Sequence, residues 1–304
     1  MTLQGSSPQK NHQKVSMHGL LQQYERQVDV LTRYIEATQT SGDMEDIHQL
    51  RVAIKNIRAS LSLFECCSHG GFKKRHHVTL LAPVYKRAGK IREAQVNLLM
   101  LKGYPETKAF RQFLQKRVDK QSQILIAELA AFYQPELVEL NKTLTAKVAD
   151  LPERQVSLLT LQFLQDNWNQ TNQLLQGERS IEDLHAVRRL LKEIREIVTL
   201  LLDTGVSHFN EEVVNEVNNR LNNKLSGQGM IDVMPKLNSL KKKLKPLHGV
   251  IGDWHDREVL QADVLKYLAT HKDKTLKQFI ANYRRKTNKL RNKVWGDVQS
   301  LFGD

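Results

Sequence analysis

Apolar residues spaced three and four positions apart run through almost the whole chain, and no stretch sustains strict alternation. Leu20, Leu21, Tyr24, Val28, Leu31 and Ile35 make one such stripe. That period buries one face of an α-helix and does not fit a half-buried strand. Seven prolines and fifteen glycines in 304 residues leave few interruptions. They cluster at SGD (41–43), SHGG (68–71), KGYP (102–105), QPE (134–136), LPER (151–154), QGERS (176–180), DTG (203–205), SGQG (226–229) and MP (234–235), dividing the chain into helical segments. The predicted fold is all-α, built from antiparallel helices with short connections.

Two signatures occur twice, in the same order. HQLRVAIKNIRASLSLF (48–64) aligns with HAVRRLLKEIREIVTLL (185–201) at an offset of 137. His48/His185, Arg51/Arg188, Lys55/Lys192, Ile57/Ile194, Arg58/Arg195 and Leu63/Leu200 coincide. Both copies follow an acidic lead, which suits a helix N-terminus. LAPVYKRAGKIREAQV (81–96) aligns with LKPLHGVIGDWHDREV (244–259) at an offset of 163. The shared frame L-x-P…G-x-x-[RH]-[ED]-x-x-V carries Arg92/His255 and Glu93/Asp256. The order predicts an internal duplication of two helical halves, residues 15–135 and 156–302, connected through 136–155.

The first signature has a definite geometry. His48, Arg51, Lys55 and Arg58 lie at offsets 0, 3, 7 and 10, within a sector of about 80° at roughly 100° per residue. Leu50, Ile54, Ile57, Leu61 and Phe64 centre about 120° away. Val187, Leu191, Ile194, Val198 and Leu201 repeat that face beside His185, Arg188, Lys192 and Arg195. Each helix therefore pairs an apolar face with a basic stripe roughly 15 Å long, and carboxylates look nearly absent from the stripe. Lys and Arg on an amphipathic helix usually form a solvated face. Four positions kept in register in two copies point instead to a shared task. Cations beside His48 and His185 depress the imidazole pKa until an anion binds.

Charge narrows the partners. The chain has 46 Lys and Arg against 33 Asp and Glu, a net charge of +13, which favours polyanions. Aromatic residues, 6% of the total, are too few for a protein that stacks many bases. Adjacent Cys66 and Cys67 are poorly placed for a mutual disulfide, so a reducing compartment is expected. The N-terminus MTLQGSSPQKNHQKVSMHG lacks the apolar segment of a signal peptide, and no apolar run reaches membrane-span length. A cytoplasmic protein without membrane contact is expected.

The repeated H-x-x-R-x-x-x-K-x-x-R helix, followed by G-x-x-R-[DE]-x-x-V, resembles the CHAD domain, the conserved histidine α-helical domain. The resemblance extends from about Val15 to Phe302, as a single domain over 15–304. It implies two antiparallel four-helix bundles related by a pseudo-two-fold axis, with a central basic channel that binds inorganic polyphosphate. The ligand-facing residues implied are His48, Arg51, Lys55 and Arg58 opposite His185, Arg188, Lys192 and Arg195, with Arg92. His255 stands where the family pattern has arginine, and Glu93 where it has aspartate. Lys241, Lys245, His248 and His255 share a helix face that would compensate, and Lys86, Arg87 and Lys90 flank Arg92. The resemblance also implies association with polyphosphate granules. Arg supplies forked donors to phosphate oxygens and Lys a point charge, and binding through counterion release falls steeply with salt.

Rival readings have weaker support. A histidine phosphotransfer protein needs small residues beside its histidine, where Val52 and Arg189 stand. General nucleic-acid or other polyanion binding at low salt fits the charge, but no groove-reading module is present. CCSHGGFKKRHH (66–77) holds metal-ligand types at no compact zinc spacing. A P-loop, a nucleophile with its base and paired carboxylates for magnesium are all missing, as is the E-x-E-x-K pattern of triphosphate tunnel enzymes. A non-catalytic binding module with no cofactor or metal is expected.

Overall fold

The structure, a computed structural model, describes residues 15–132, 134–222 and 236–303. The breakers expected at 226–229 and 234–235, and residues 1–14 of the N-terminal stretch, lie outside the described residues. Among those described, the chain is entirely helical. The helices are α1 (Met17–Ser41), α2 (Met44–Cys67), α3 (Arg75–Met100), α4 (Lys108–Ala130), α5 (Gln134–Val148), α6 (Glu153–Leu175), α7 (Ile181–Asp203), α8 (Glu211–Asn222), α9 (Leu237–Leu268) and α10 (Lys274–Gly303). A short 3-10 turn, Pro105–Thr107, precedes α4. The stretch 136–155, expected as a connection, is largely α5 and the start of α6. Pro135 occupies the first turn of α5, where its missing N–H costs nothing.

Local chemistry sets the ends of the two motif helices. Asp43 caps α2, its Oδ1 accepting from the Met44 N–H at 2.6 Å, and Glu45 and Asp46 complement the helix dipole in the first turn. Ser180 and Asp183 form a capping box on α7: the Asp183 N–H donates to Ser180 Oγ at 3.0 Å, and the Ser180 N–H to Asp183 Oδ2 at 3.2 Å. Between α1 and α2 the chain reverses at Gly42, whose φ of 60° no β-branched residue would tolerate easily.

Packing follows a recurring order. α1 packs on α2, α2 on α3 and α3 on α4; likewise α6 packs on α7, α7 on α9 and α9 on α10. α5 lies against α3 and α8 against α6. Across these two series, α2 meets α6 and α7, and α3 meets α9. The apolar faces of α2 (Leu50, Ile54, Ile57, Leu61, Phe64) and α7 (Val187, Leu191, Ile194, Val198, Leu201) are fully buried. They belong to one contiguous apolar cluster to which every helix contributes. A polar tie reinforces the crossing. Arg117 of α4 forks onto Asp263 of α9 at 2.5 and 3.2 Å, and Asn97 of α3 donates to the same carboxylate at 2.8 Å.

Candidate functional site

Where α2 meets α7, the basic stripes beside their buried apolar faces come together. Every stripe residue of α2 (His48, Arg51, Lys55, Arg58) and of α7 (His185, Arg188, Lys192, Arg195) is half-buried rather than solvated. Arg92 of α3 and His248 and His255 of α9 are half-buried as well. Arg51 acts electrostatically on Arg188, Lys192 and His255, so residues from both motif copies share one field.

Ionisation reflects that crowding. Burial lowers the pKa of Lys192 to about 8 against the pull of Glu196, and Lys55, Arg188 and Arg51 add to the lowering. Burial, then Arg51, also lowers Arg188, while Asp256 opposes them. His255 is pushed down to about 4, first by burial and then by Arg188, His185, Lys192 and Arg51. His248 reaches about 4 through burial and Arg195, although its Nε2 meets the Leu191 carbonyl at 3.0 Å. His48 is lowered by burial and Arg92, and His185 by burial despite an opposing Glu258. All four imidazoles are therefore biased toward the neutral form.

Equivalent positions meet equivalent partners. Arg92 acts on His48, and His255 stands edge-on to His185 with centroids 5.4 Å apart. Tyr85 of α3 receives two guanidinium groups on its ring, Arg51 at 5.0 Å and Arg58 at 4.8 Å. Its counterpart at offset 163 is His248, which faces Arg188 and Arg195, the counterparts of those arginines. Arg51 lies against α3 at Gly89, where an added Cβ would make only ordinary contact, 3.7 Å from Arg51 Nε.

One carboxylate, Glu196, stands at the border of the stripe. Its Oε1 is 3.5 Å from Lys55 Nζ and 4.0 Å from Lys192 Nζ, with 14% of the side chain exposed. Burial raises its pKa and both lysines oppose the rise. The missed signal was an acid four residues after Lys192, the spacing of a helical ion pair. Tyr85 was missed too, since an aromatic between Pro83 and Gly89 reads as core. Asp256 lies beside Arg188, burial raising its pKa and Arg188, Arg92 and Arg51 opposing. Glu93, its partner in the frame, is exposed.

The remaining candidates differ in exposure. Lys86, Lys90 and Lys245 are exposed and Lys241 is half-buried. Arg87 turns to α4, donating to Glu128 at 2.6 Å and Gln121 at 2.7 Å. Within 66–77, Cys67 is buried with its Sγ 3.7 Å from Thr160 Oγ1. Among the described residues, no group of three or more His, Cys, Asp or Glu is placed to hold a metal ion, and no helix is long and apolar enough to cross a membrane.

At the centre stand imidazole and guanidinium nitrogens with unmet hydrogen-bonding capacity. His48 Nδ1, Arg51 Nε and His255 Nδ1 are buried without a hydrogen-bond partner among the described residues. Such groups are costly unless something supplies acceptors. An anion with several oxygens would do so.

Comparison with known proteins agrees with the fold. No curated protein matches the chain. A crystal structure of the CHAD domain from the plant Ricinus communis has the same fold, with a TM-score of 0.62 at 14% identity, over 98% of this chain and 96% of that one. The family model for the CHAD domain matches residues 22–206, a span that includes both basic helices. The chain belongs to the CHAD-domain family.

Proposed function

We propose that this protein binds inorganic polyphosphate, without turning it over, in a basic channel between two duplicated four-helix halves. The duplication is supported by the recurring order of packing, α1–α2–α3–α4 and α6–α7–α9–α10, with α5 and α8 added. The observation that carries the function is the convergence of Arg51 and Lys55 with Arg188 and Lys192. Two half-buried stripes from separate motif copies meet where one charge after another of a linear polyanion could be neutralised. Ordered guanidinium groups on Tyr85 give one wall a fixed geometry. The neutral histidines take up protons as phosphate enters. Association with polyphosphate granules would follow from this binding.

The test is an equilibrium titration with long-chain polyphosphate, comparing the protein with its Arg51→Gln/Arg188→Gln variant and assaying orthophosphate release alongside. Saturable binding that the variant weakens at least tenfold, with no release, is the expected result. Unaltered binding by the variant contradicts the site, and steady release contradicts the non-catalytic reading.

A second reading, general polyanion binding, is favoured by the outer face of α10. Lys274, Lys277, Arg284, Arg285, Lys286 and Lys289 are all exposed there. Such a face would bind duplex DNA and polyphosphate alike, in a strongly salt-dependent way.

A further inference from the structure

We propose that Glu196 is a built-in counter-anion, occupying the place between Lys55 and Lys192 that a ligand phosphate takes, and that it thereby limits affinity and couples binding to pH. The inference rests on the polyphosphate reading and names a residue that tunes the site.

Three observations carry it. The lysines of both motif copies converge on one oxygen of this carboxylate, at 3.5 and 4.0 Å. The motif itself does not require the acid, because the residue at the same position of the first copy is Ala59. Finally, the carboxylate has somewhere to go. A cavity of about 360 Å³ opens where α1, α2 and α7 meet, bordered by Lys55, Arg195 and Glu196, with Arg26 of α1 on its wall. A phosphate arriving between the lysines repels Glu196, which either swings into the cavity toward Arg26 or takes up a proton.

The charged groups around Glu196 fix the sign of the effect. Lys55 faces it from α2, Lys192 and Arg195 from α7, and Arg26 and Asp203 line the adjoining cavity. Burial already favours the protonated carboxyl, and an approaching polyanion favours it further. Lower pH therefore releases the lysines and tightens binding. His48, His185, His248 and His255 push in the same direction but remain when Glu196 is replaced. Lys192, which Glu196 helps to hold near 8, keeps more of its charge at pH 7 than at pH 8, so the comparison is made at pH 7 and below.

The experiment titrates long-chain polyphosphate into the full chain and its Glu196→Gln and Glu196→Ala variants at pH 5.5 and pH 7, with thermal melts of each. Both variants are expected to bind about tenfold tighter at pH 7, the effect of one nearby charge. The advantage should shrink at pH 5.5, and the salt dependence should steepen as both lysines become available to phosphate. Equal or weaker binding by both variants, or a ratio independent of pH, overturns the proposal. So does failure of both to fold, which would make Glu196 a structural charge. Absence of binding by the parent protein overturns the polyphosphate reading itself, and is visible before any variant is compared.

Discussion

Lys55 of α2 lies 3.5 Å from Glu196 of α7, an ion pair that joins the two copies of the repeated motif across the helix–helix contact. It shows how the site is assembled. The apolar faces of α2 and α7 are buried in the core, and the stripes beside them meet where the two helices touch, with 22% of the Lys55 side chain and 33% of Lys192 still exposed. Half-buried cations then face one another with little compensation, and their ionisation becomes responsive to whatever anion enters.

Tyr85 is expected to act through the arginines it holds. Replacing it with Leu keeps apolar bulk but removes the ring face under Arg51 and Arg58. Each such contact contributes about 1 kcal/mol. Tyr85→Leu should weaken polyphosphate binding roughly fivefold, while Tyr85→Phe, which keeps the ring, should bind like the parent. Isothermal titration distinguishes the two.

Asp263 should matter for stability and not for ligand. Asp263→Ala leaves Arg117 without its forked acceptor and Asn97 without its partner. The expected loss is about 2 kcal/mol, read as a lower urea midpoint. Polyphosphate affinity should stay within a factor of about two, because the tie lies outside the cation cluster.

The histidines predict how the free protein responds to acid. His248 and His255 are held near 4 in the fold, and His48 and His185 are also lowered. Between about pH 4 and the ordinary imidazole value near 6.5, the unfolded chain binds more protons than the folded one. Stability should therefore fall as pH drops through that window. Polyphosphate should reverse the trend by stabilising the imidazolium forms. Melting curves from pH 4.5 to 7.5, with and without the polymer, check both directions.

His255 itself gives a sharper version. His255→Arg places a permanent charge beside Arg188, His185 and Lys192. The free protein should melt lower. Binding at pH 8 should tighten by about tenfold, as expected for one added cation, and the pH dependence of affinity should flatten. A variant that binds no better than the parent at pH 8 would show that this position does not reach the ligand.

Much of this site was legible in the sequence because helices impose a period. The spacing of His48, Arg51, Lys55 and Arg58 locates a stripe, and its recurrence from His185 to Arg195 marks the partner. Three features were not legible, each for a physical reason. The contact between α2 and α7 is tertiary, so nothing local in either motif signals it. Glu196 falls at the border of the basic sector, where it reads as one more polar residue of an amphipathic helix, and its role depends on Lys55 arriving from another helix. Tyr85 becomes a platform only because α3 lies against α2. Lys86, named as a neighbour of Arg92, and Lys245, named by helix periodicity, are exposed where the stripe residues are half-buried.

The most direct measurement is a competition between long-chain polyphosphate and charge-matched duplex DNA, at low and near-physiological salt, using the protein and its Arg51→Gln/Arg188→Gln variant. The account predicts that polyphosphate remains bound at the higher salt after DNA has dissociated, and that the variant loses this preference. Equal retention of both polymers, unaffected by the substitutions, would contradict a dedicated polyphosphate site between α2 and α7.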